Sequence, residues 1–344
     1  MLSSVLGTLA GSASALFLFA LDRATDTRVG HPWLVWLLPF AGFLTGWVYH
    51  CIGKSVEGGN NLLIDEIHDP QKIVPKRMAP LVLAATVITH LFGGSAGREG
   101  TAVQIGGALA DRVTHLFDLG REDRLILLMA GIAAGFSSVF GTPLAGAIFG
   151  LEVLAIGRLR YDALLACLAA SVVADAVCRL WGIHHTVYTI PFVPPVTALG
   201  FGSAIIAGIA FDVVGMLFAD STHALSAHIK RKIAYAPFRP VLGGAATVLN
   251  VPQYLGLGIP TIVQAFNGPL PVYDFAGKFG FTVVTLASGF KGGEVTPLFY
   301  LLSTLAPRLA MRWATSLRCR YRCSRGSALS PCSPVRRTPR SRRR

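Results

Sequence analysis

The stretch Gly97-Arg98-Glu99-Gly100-Thr101, which follows Gly93-Gly94-Ser95-Ala96, decides how this chain is organised. Apolar sequence lies on both sides of it, over residues 81–92 and 102–110. Ionisable residues are costly inside lipid, so an Arg-Glu pair in such surroundings indicates a functional site. The glycines allow the chain to break and a helix to restart at about Glu99. The free N–H groups and positive dipole end of a helix start favour an anion.

The composition is that of a polytopic membrane protein. Of the 344 residues, 52% are hydrophobic and only 14% are charged, and the mean hydropathy is +0.55. Soluble domains carry about 25% charged residues, so a soluble glycine-rich turn is a poor interpretation of the Arg-Glu pair. The apolar stretch Met1–Leu21 lacks a basic leader, and we interpret it as a first membrane helix.

The net charge of +13 does not indicate a nucleic-acid partner, because twelve arginines after Pro307 carry nearly all of it. We expect no metal, since His184-His185 is typical of solvated loop histidines and no paired CxxC spacing occurs. No nucleophile-base set or phosphate-binding loop is present, so the sequence favours neither an enzyme nor a bound cofactor.

Glycine-rich breaks recur in two halves of the chain. The first half has Gly58-Gly59-Asn60, where a half-helix too short to span a bilayer starts near Asn60, and then the Glu99 break. The second half has Gly256-Leu257-Gly258 and then Gly293-Glu294-Val295-Thr296-Pro297. The second break of each half carries a glutamate and a threonine, Glu99 with Thr101 and then Glu294 with Thr296. Paired interruptions of this kind are typical of inverted-repeat transporters with a midplane site.

These motifs resemble the CLC family of anion channels and proton-coupled anion antiporters. Gly97–Gly100 matches the family pattern G-(K/R)-E-G-P, with Thr101 in place of the proline. Residues 131–146 resemble its A-A-G-x-x-x-x-F-x-(A/T)-P-L-A-G block, and Gly293–Pro297 matches G-x-(F/V)-x-P. The resemblance covers residues 1 to about 305. It implies an all-α membrane fold with broken and re-entrant helices, in a homodimer with one pore per subunit.

The departures from the family pattern indicate a branch. Chloride-selective members have G-S-G-I-P at the first break, where this chain has Gly58-Gly59-Asn60-Asn61-Leu62. Gly256-Leu257-Gly258-Ile259-Pro260 imitates that motif in the second half, so the serine's role is not assigned to it. G-R-E-G-T, N-N-L and G-E-V-T-P resemble the fluoride/proton antiporter branch. We therefore expect fluoride export; a chloride channel, a chloride/proton antiporter and a non-functional truncated product are the alternatives.

The resemblance implies roles for particular residues. Glu99 is the expected gate and proton carrier, and Glu294 is either a second proton-linked carboxylate or a structural acceptor. Helix starts near Asn60, Glu99 and Val295 are expected to converge at the bilayer centre, with Arg98 as a structural cation. Asn60 and Thr101 are site residues or helix caps. The expected anion-binding residues are Asn60, Gly59, Gly97, Gly100, Thr101, Val295 and Thr296.

The domain organisation follows from the breaks and from the tail. Residues 1–305 are expected to form the transport domain, with repeats of about 1–190 and 191–305, in a bacterial inner membrane. Residues 306–344 are rich in Arg, Ser, Pro and Cys and have no helical period. Central arginines cost about 2.5–3.5 kcal/mol each in lipid. We expect this tail to be disordered and out of frame, and the second repeat to be incomplete.

A shift of reading frame near Leu301 is expected to restore apolar sequence like the family's remaining helices. We predict that the 344-residue chain is poorly folded and inactive and that the frame-restored gene makes an active transporter. Resequencing the locus checks this. An intact frame ending at Arg344, with ion transport by that product, would contradict it.

Overall fold

The computed structural model describes residues 1–68, 73–152, 160–186, 197–248, 252–267 and 270–305. Within these ranges the chain is nearly all helical and forms no β-strand, which confirms the predicted fold class. The α-helices are α1 Leu2–Gly30, α2 Leu38–Ile52, α3 Asn60–His68, α4 Met78–Leu91, α5 Glu99–Leu116, α6 Arg121–Phe140, α7 Pro143–Glu152, α8 Leu164–Leu180, α9 Ala198–Lys232, α10 Arg239–Val248, α11 Ile259–Asn267, α12 Val272–Ala287 and α13 Val295–Leu305. The tail 306–344 lies outside the described residues.

Five helical segments in the described residues are long and apolar enough to cross a membrane: Leu2–Gly30, Pro32–Ile52, Arg121–Phe140, Tyr161–Leu180 and Gly200–Lys232. A bilayer core about 30 Å thick needs about 20 helical residues. Helices α3 and α11 have nine residues each, and α13 spans Val295–Leu305. These helices are too short to cross, so the fold combines membrane-spanning helices with broken ones.

A seam of glycines joins α5 to α6 at the centre of the first half. Gly106 on α5 lies against the backbone of Gly131 on α6, and Gly135 lies against the backbone of Ala102. A Cβ atom at any of these three glycines would collide with a carbonyl oxygen of the facing helix. Small residues let helix backbones approach closely where lipid supplies no hydrophobic driving force. This glycine seam holds the start of α5 in a fixed position.

A buried ionic cluster ties the other end of α5 to α3 and α6. Arg124 Nε donates to Asp111 Oδ1 at 2.7 Å, and its Nη1 donates to Glu66 Oε2 at 3.2 Å. Asp111 Oδ2 also accepts the N–H of Val74 at 2.8 Å. Buried charges are tolerated when they are paired and hydrogen-bonded. The cluster therefore fixes the short α3 against the helices that carry the Glu99 break.

Candidate functional site

The two charged breaks meet through their backbones. Gly97 N–H donates to the Gly293 carbonyl at 2.7 Å, and Gly293 N–H donates to the Gly97 carbonyl at 2.8 Å, in an antiparallel bridge. Helix α5 begins two residues after Gly97, at Glu99, and α13 begins two residues after Gly293, at Val295. The bridge therefore places two helix starts, one from each half of the chain, beside each other.

The bridge sets the register between the two breaks. With Gly97 opposite Gly293, Arg98 has the position equivalent to Glu294, and Glu99 the position equivalent to Val295. The glycine that comes before each helix start therefore sets the structural register, and the shared Glu-x-Thr spacing of the two breaks does not.

Glu99 lies buried between the two breaks, with 1% of its surface exposed. Its Oε2 accepts the N–H of Arg98 at 3.1 Å, and its Oε1 accepts the hydroxyl of Thr296, in the first turn of α13, in a short hydrogen bond. A Cβ atom on Gly97 or Gly293 would lie 2.5 Å from Glu99 Oε2. Only glycine at both positions leaves room for the carboxylate in front of the helix starts.

The third helix start lies next to the other two. Asn60 is the first residue of α3, and its Nδ2 lies 3.3 Å from the point where a Cβ on Gly100 would stand. Gly59 has φ +58° and faces the side-chain amide of Gln104, which the sequence analysis did not single out. The helix starts at Asn60, Glu99 and Val295 therefore converge, as the motifs indicated.

Two other predicted site residues, Thr101 and Glu294, make no hydrogen bond to Glu99 among the described residues. Thr101 is buried, and its hydroxyl pairs with that of Thr86 on α4 at 2.6 Å. Glu294 is exposed just before α13. Arg98 Nη2 donates to the Val139 carbonyl at 3.4 Å, which fits the role of a structural cation.

Behind the breaks lie buried polar side chains that the sequence analysis missed. The ring nitrogens of His90 lie 2.8 Å and 3.0 Å from the carbonyls of Thr86 and Ala96. Ser95 Oγ lies 2.9 Å from Thr282 Oγ1 on α12, and Lys278 on the same helix is fully buried. The sequence signal that could have identified His90 and Lys278 is an ionisable residue within a short apolar helix.

Three helix starts around one buried carboxylate, in a bundle of membrane-length helices, define a membrane ion-transport protein. The sequence profile described as "Voltage gated chloride channel" matches residues 41–318. The chain belongs to this CLC family.

Two curated relatives show what related chains do. A "Chloride/fluoride channel protein" of Pseudomonas syringae pv. tomato is 59% identical over 320 residues, which are 90% of this chain and 71% of that protein. An "H(+)/Cl(-) exchange transporter ClcA" of Vibrio vulnificus is 28% identical over 339 residues, covering 87% of this chain and 70% of that one.

A solved structure gives the same fold. The crystal structure of a CLC-type fluoride/proton antiporter superposes with a TM-score of 0.87 at 36% sequence identity. The superposition covers 91% of this chain and 81% of that one. A fold of broken helices in two halves is therefore shared over most of the chain.

Proposed function

We propose that the transport domain of this chain is that of a fluoride/proton antiporter in which Glu99 is both the gate and the proton carrier. The observation that carries the proposal is the position of the Glu99 carboxylate, which lies where the starts of α5 and α13 meet and accepts hydrogen bonds from Arg98 N–H and Thr296. Helix starts stabilise negative charge in front of them. The ionised carboxylate therefore takes the place that a transported anion would need.

Competition for this place couples the two ions. While Glu99 is ionised, its oxygens hold the donors of Arg98 and Thr296. A proton on Glu99 cancels the charge that the helix starts stabilise and turns one of its acceptor oxygens into a donor. The neutral side chain then leaves the donors to the anion. When the anion leaves, the donors favour the ionised carboxylate again, and the proton is released.

The donors around Glu99 suit fluoride. Fluoride is small and strongly hydrated, so a site that dehydrates it has to replace those hydrogen bonds with donors of its own. The Thr296 hydroxyl, the amide of Asn60 next to Gly100, and backbone N–H groups at the helix starts are such donors. The relatives named for fluoride support the same choice.

The finer assignments belong to the same proposal. We propose that the protein lies in a bacterial cell membrane as a homodimer, with the basic residues Lys76, Arg77 and Lys230–Lys232 on the cytoplasmic side, where such residues are enriched. Glu294 stays open between a second proton-linked carboxylate and a structural acceptor. Its exposure next to α13 leaves both roles available.

Proteoliposomes with a fluoride gradient test the function. We expect fluoride efflux to drive proton uptake against a proton gradient, and a tenfold excess of chloride to slow fluoride movement by less than half. The 344-residue chain and a version with its reading frame restored near Leu301 are assayed side by side with protein-free vesicles. Chloride transport as fast as fluoride transport, or fluoride movement without protons in both versions, would contradict the proposal.

A further inference from the structure

Two basic side chains meet at the second-half break, away from Glu99. The loop before α11 is Gly256-Leu257-Gly258, and both of its glycines have positive φ, +59° and +73°. The guanidinium of Arg28, near the end of α1, lies over Gly256: its Nη2 is 3.2 Å from the point where a Cβ on that glycine would stand. Lys278 Nζ, from α12, donates to the Gly256 carbonyl at 2.6 Å and to the Tyr254 carbonyl at 3.1 Å.

Among the described residues, no carboxylate balances these two cations. Asp274 on the same helix as Lys278 is already held by Gln253 Nε2 at 2.8 Å and by Tyr254 Oη at 2.9 Å. Lys278 is fully buried, whereas Arg28 is partly exposed. Buried charges are normally paired with an opposite charge, and an anion bound here would supply one for Lys278.

The start of α11 adds donors to the same place. Pro260 has no N–H, and the N–H groups of Gly258 and Ile259 have no acceptor within the ranges that the structure describes. The positive dipole end of α11 therefore faces the loop that carries the two cations.

A buried hydroxyl points to the same helix start. Tyr300 is fully buried, and its ring lies against Gly258, 2.7 Å from the position of a Cβ there. Its Oη makes no hydrogen bond of good geometry in the described part of the chain, and Thr261 in the first turn of α11 is the polar group facing it. Buried polar atoms are normally satisfied, so this hydroxyl has a donor available for a ligand. Gly258 is partly exposed, which leaves the place open on one side.

We propose that Arg28, Lys278, Tyr300 and the start of α11 form a second anion-binding site, which takes a small monovalent inorganic anion. It is the second-half counterpart of the Asn60 helix start, since Gly59 and Gly258 both have positive φ directly before a short helix. The proposed role of this site rests on the proposed transport function: the site would hold an anion before or after that anion passes Glu99. Binding itself does not depend on transport.

Calorimetric titration of the purified protein, in the frame-restored version that is expected to fold, with potassium fluoride and separately with potassium chloride, tests the site. We expect two fluoride ions per chain. Arg28→Gln and Lys278→Met each weaken one of the two sites at least tenfold, whereas Lys278→Arg keeps both. Arg23→Gln is the matched control on α1, since Arg23 is exposed and lies 5.3 Å from the Phe19 ring.

The outcomes separate the possible roles. A single fluoride per wild-type chain, or titrations unchanged by Arg28→Gln, would overturn the second site. If Lys278 only supports the loop carbonyls, Lys278→Met lowers the unfolding temperature while both sites keep their affinity, and the proposal fails. If Lys278→Met does not fold, Arg28→Gln decides alone. Two-site binding without coupled transport would contradict the proposed function and leave this site standing.

Discussion

In Glu99→Gln, a fluoride gradient no longer drives protons: we expect proton flux to fall to the level of protein-free vesicles. Glutamine fills the same volume, but its amide neither takes up a proton nor carries the negative charge that competes with the anion. The helix starts and the Thr296 hydroxyl stay in place, so any fluoride that still moves does so without protons. The loss is complete because no other buried carboxylate in the described residues lies between the two breaks.

Two further variants give that experiment its controls. Glu152 is exposed at the end of α7, and Glu152→Gln is expected to couple protons as the parent protein does. Glu294→Gln in the same assay separates the two roles left open for that residue, because only a proton-linked carboxylate changes the proton flux. Normal proton movement in Glu99→Gln would remove the gate assignment. All variants are made in both the 344-residue and the frame-restored versions.

Gly131→Leu is expected to abolish the folded protein. A side chain at this position meets the Gly106 carbonyl and the Ala110 side chain on α5, and neither helix backbone has room to move away. Added methylenes in a well-packed core cost about 1–3 kcal/mol, and a collision between two backbones lies at or above the upper end of that range. The measurement is the yield of monodisperse protein in detergent and its unfolding temperature.

Gly208→Leu is the matched control for the glycine seam. Gly208 lies on α9, where a Cβ atom would meet nothing within 4 Å, so the same leucine is accommodated. It also removes a helix glycine that costs about 1 kcal/mol relative to alanine. A Gly131→Leu protein as stable as the Gly208→Leu protein would show that close contact between α5 and α6 is not required.

Local sequence predicted the parts of the site that depend on local rules. Glycine before an apolar run predicted the restart at Glu99 and the short helix at Asn60, and both helices begin at those residues. The membrane class followed from composition. These features need only the backbone freedom of glycine and the cost of charge in lipid.

What the sequence could not predict depends on contacts between distant residues. The register between the breaks is set by a bridge across 196 positions, from Gly97 to Gly293. The Thr101 hydroxyl pairs with that of Thr86 because α4 packs against α5, and the Thr296 hydroxyl donates to Glu99 from the other half of the chain. Arg124 likewise pairs with Glu66 on α3 and Asp111 on α5, which are distant from it in sequence. Each of these contacts requires the packed structure.

The paired glycines also give the site a local symmetry. An antiparallel bridge with two reciprocal hydrogen bonds looks the same after a half-turn, since each glycine gives one N–H and one carbonyl. The two breaks therefore contribute the same backbone groups, and the difference between them lies in the side chains that follow: Glu99 begins α5, whereas Val295 begins α13. The backbone sets the two helix starts beside each other, and only one of them carries the carboxylate.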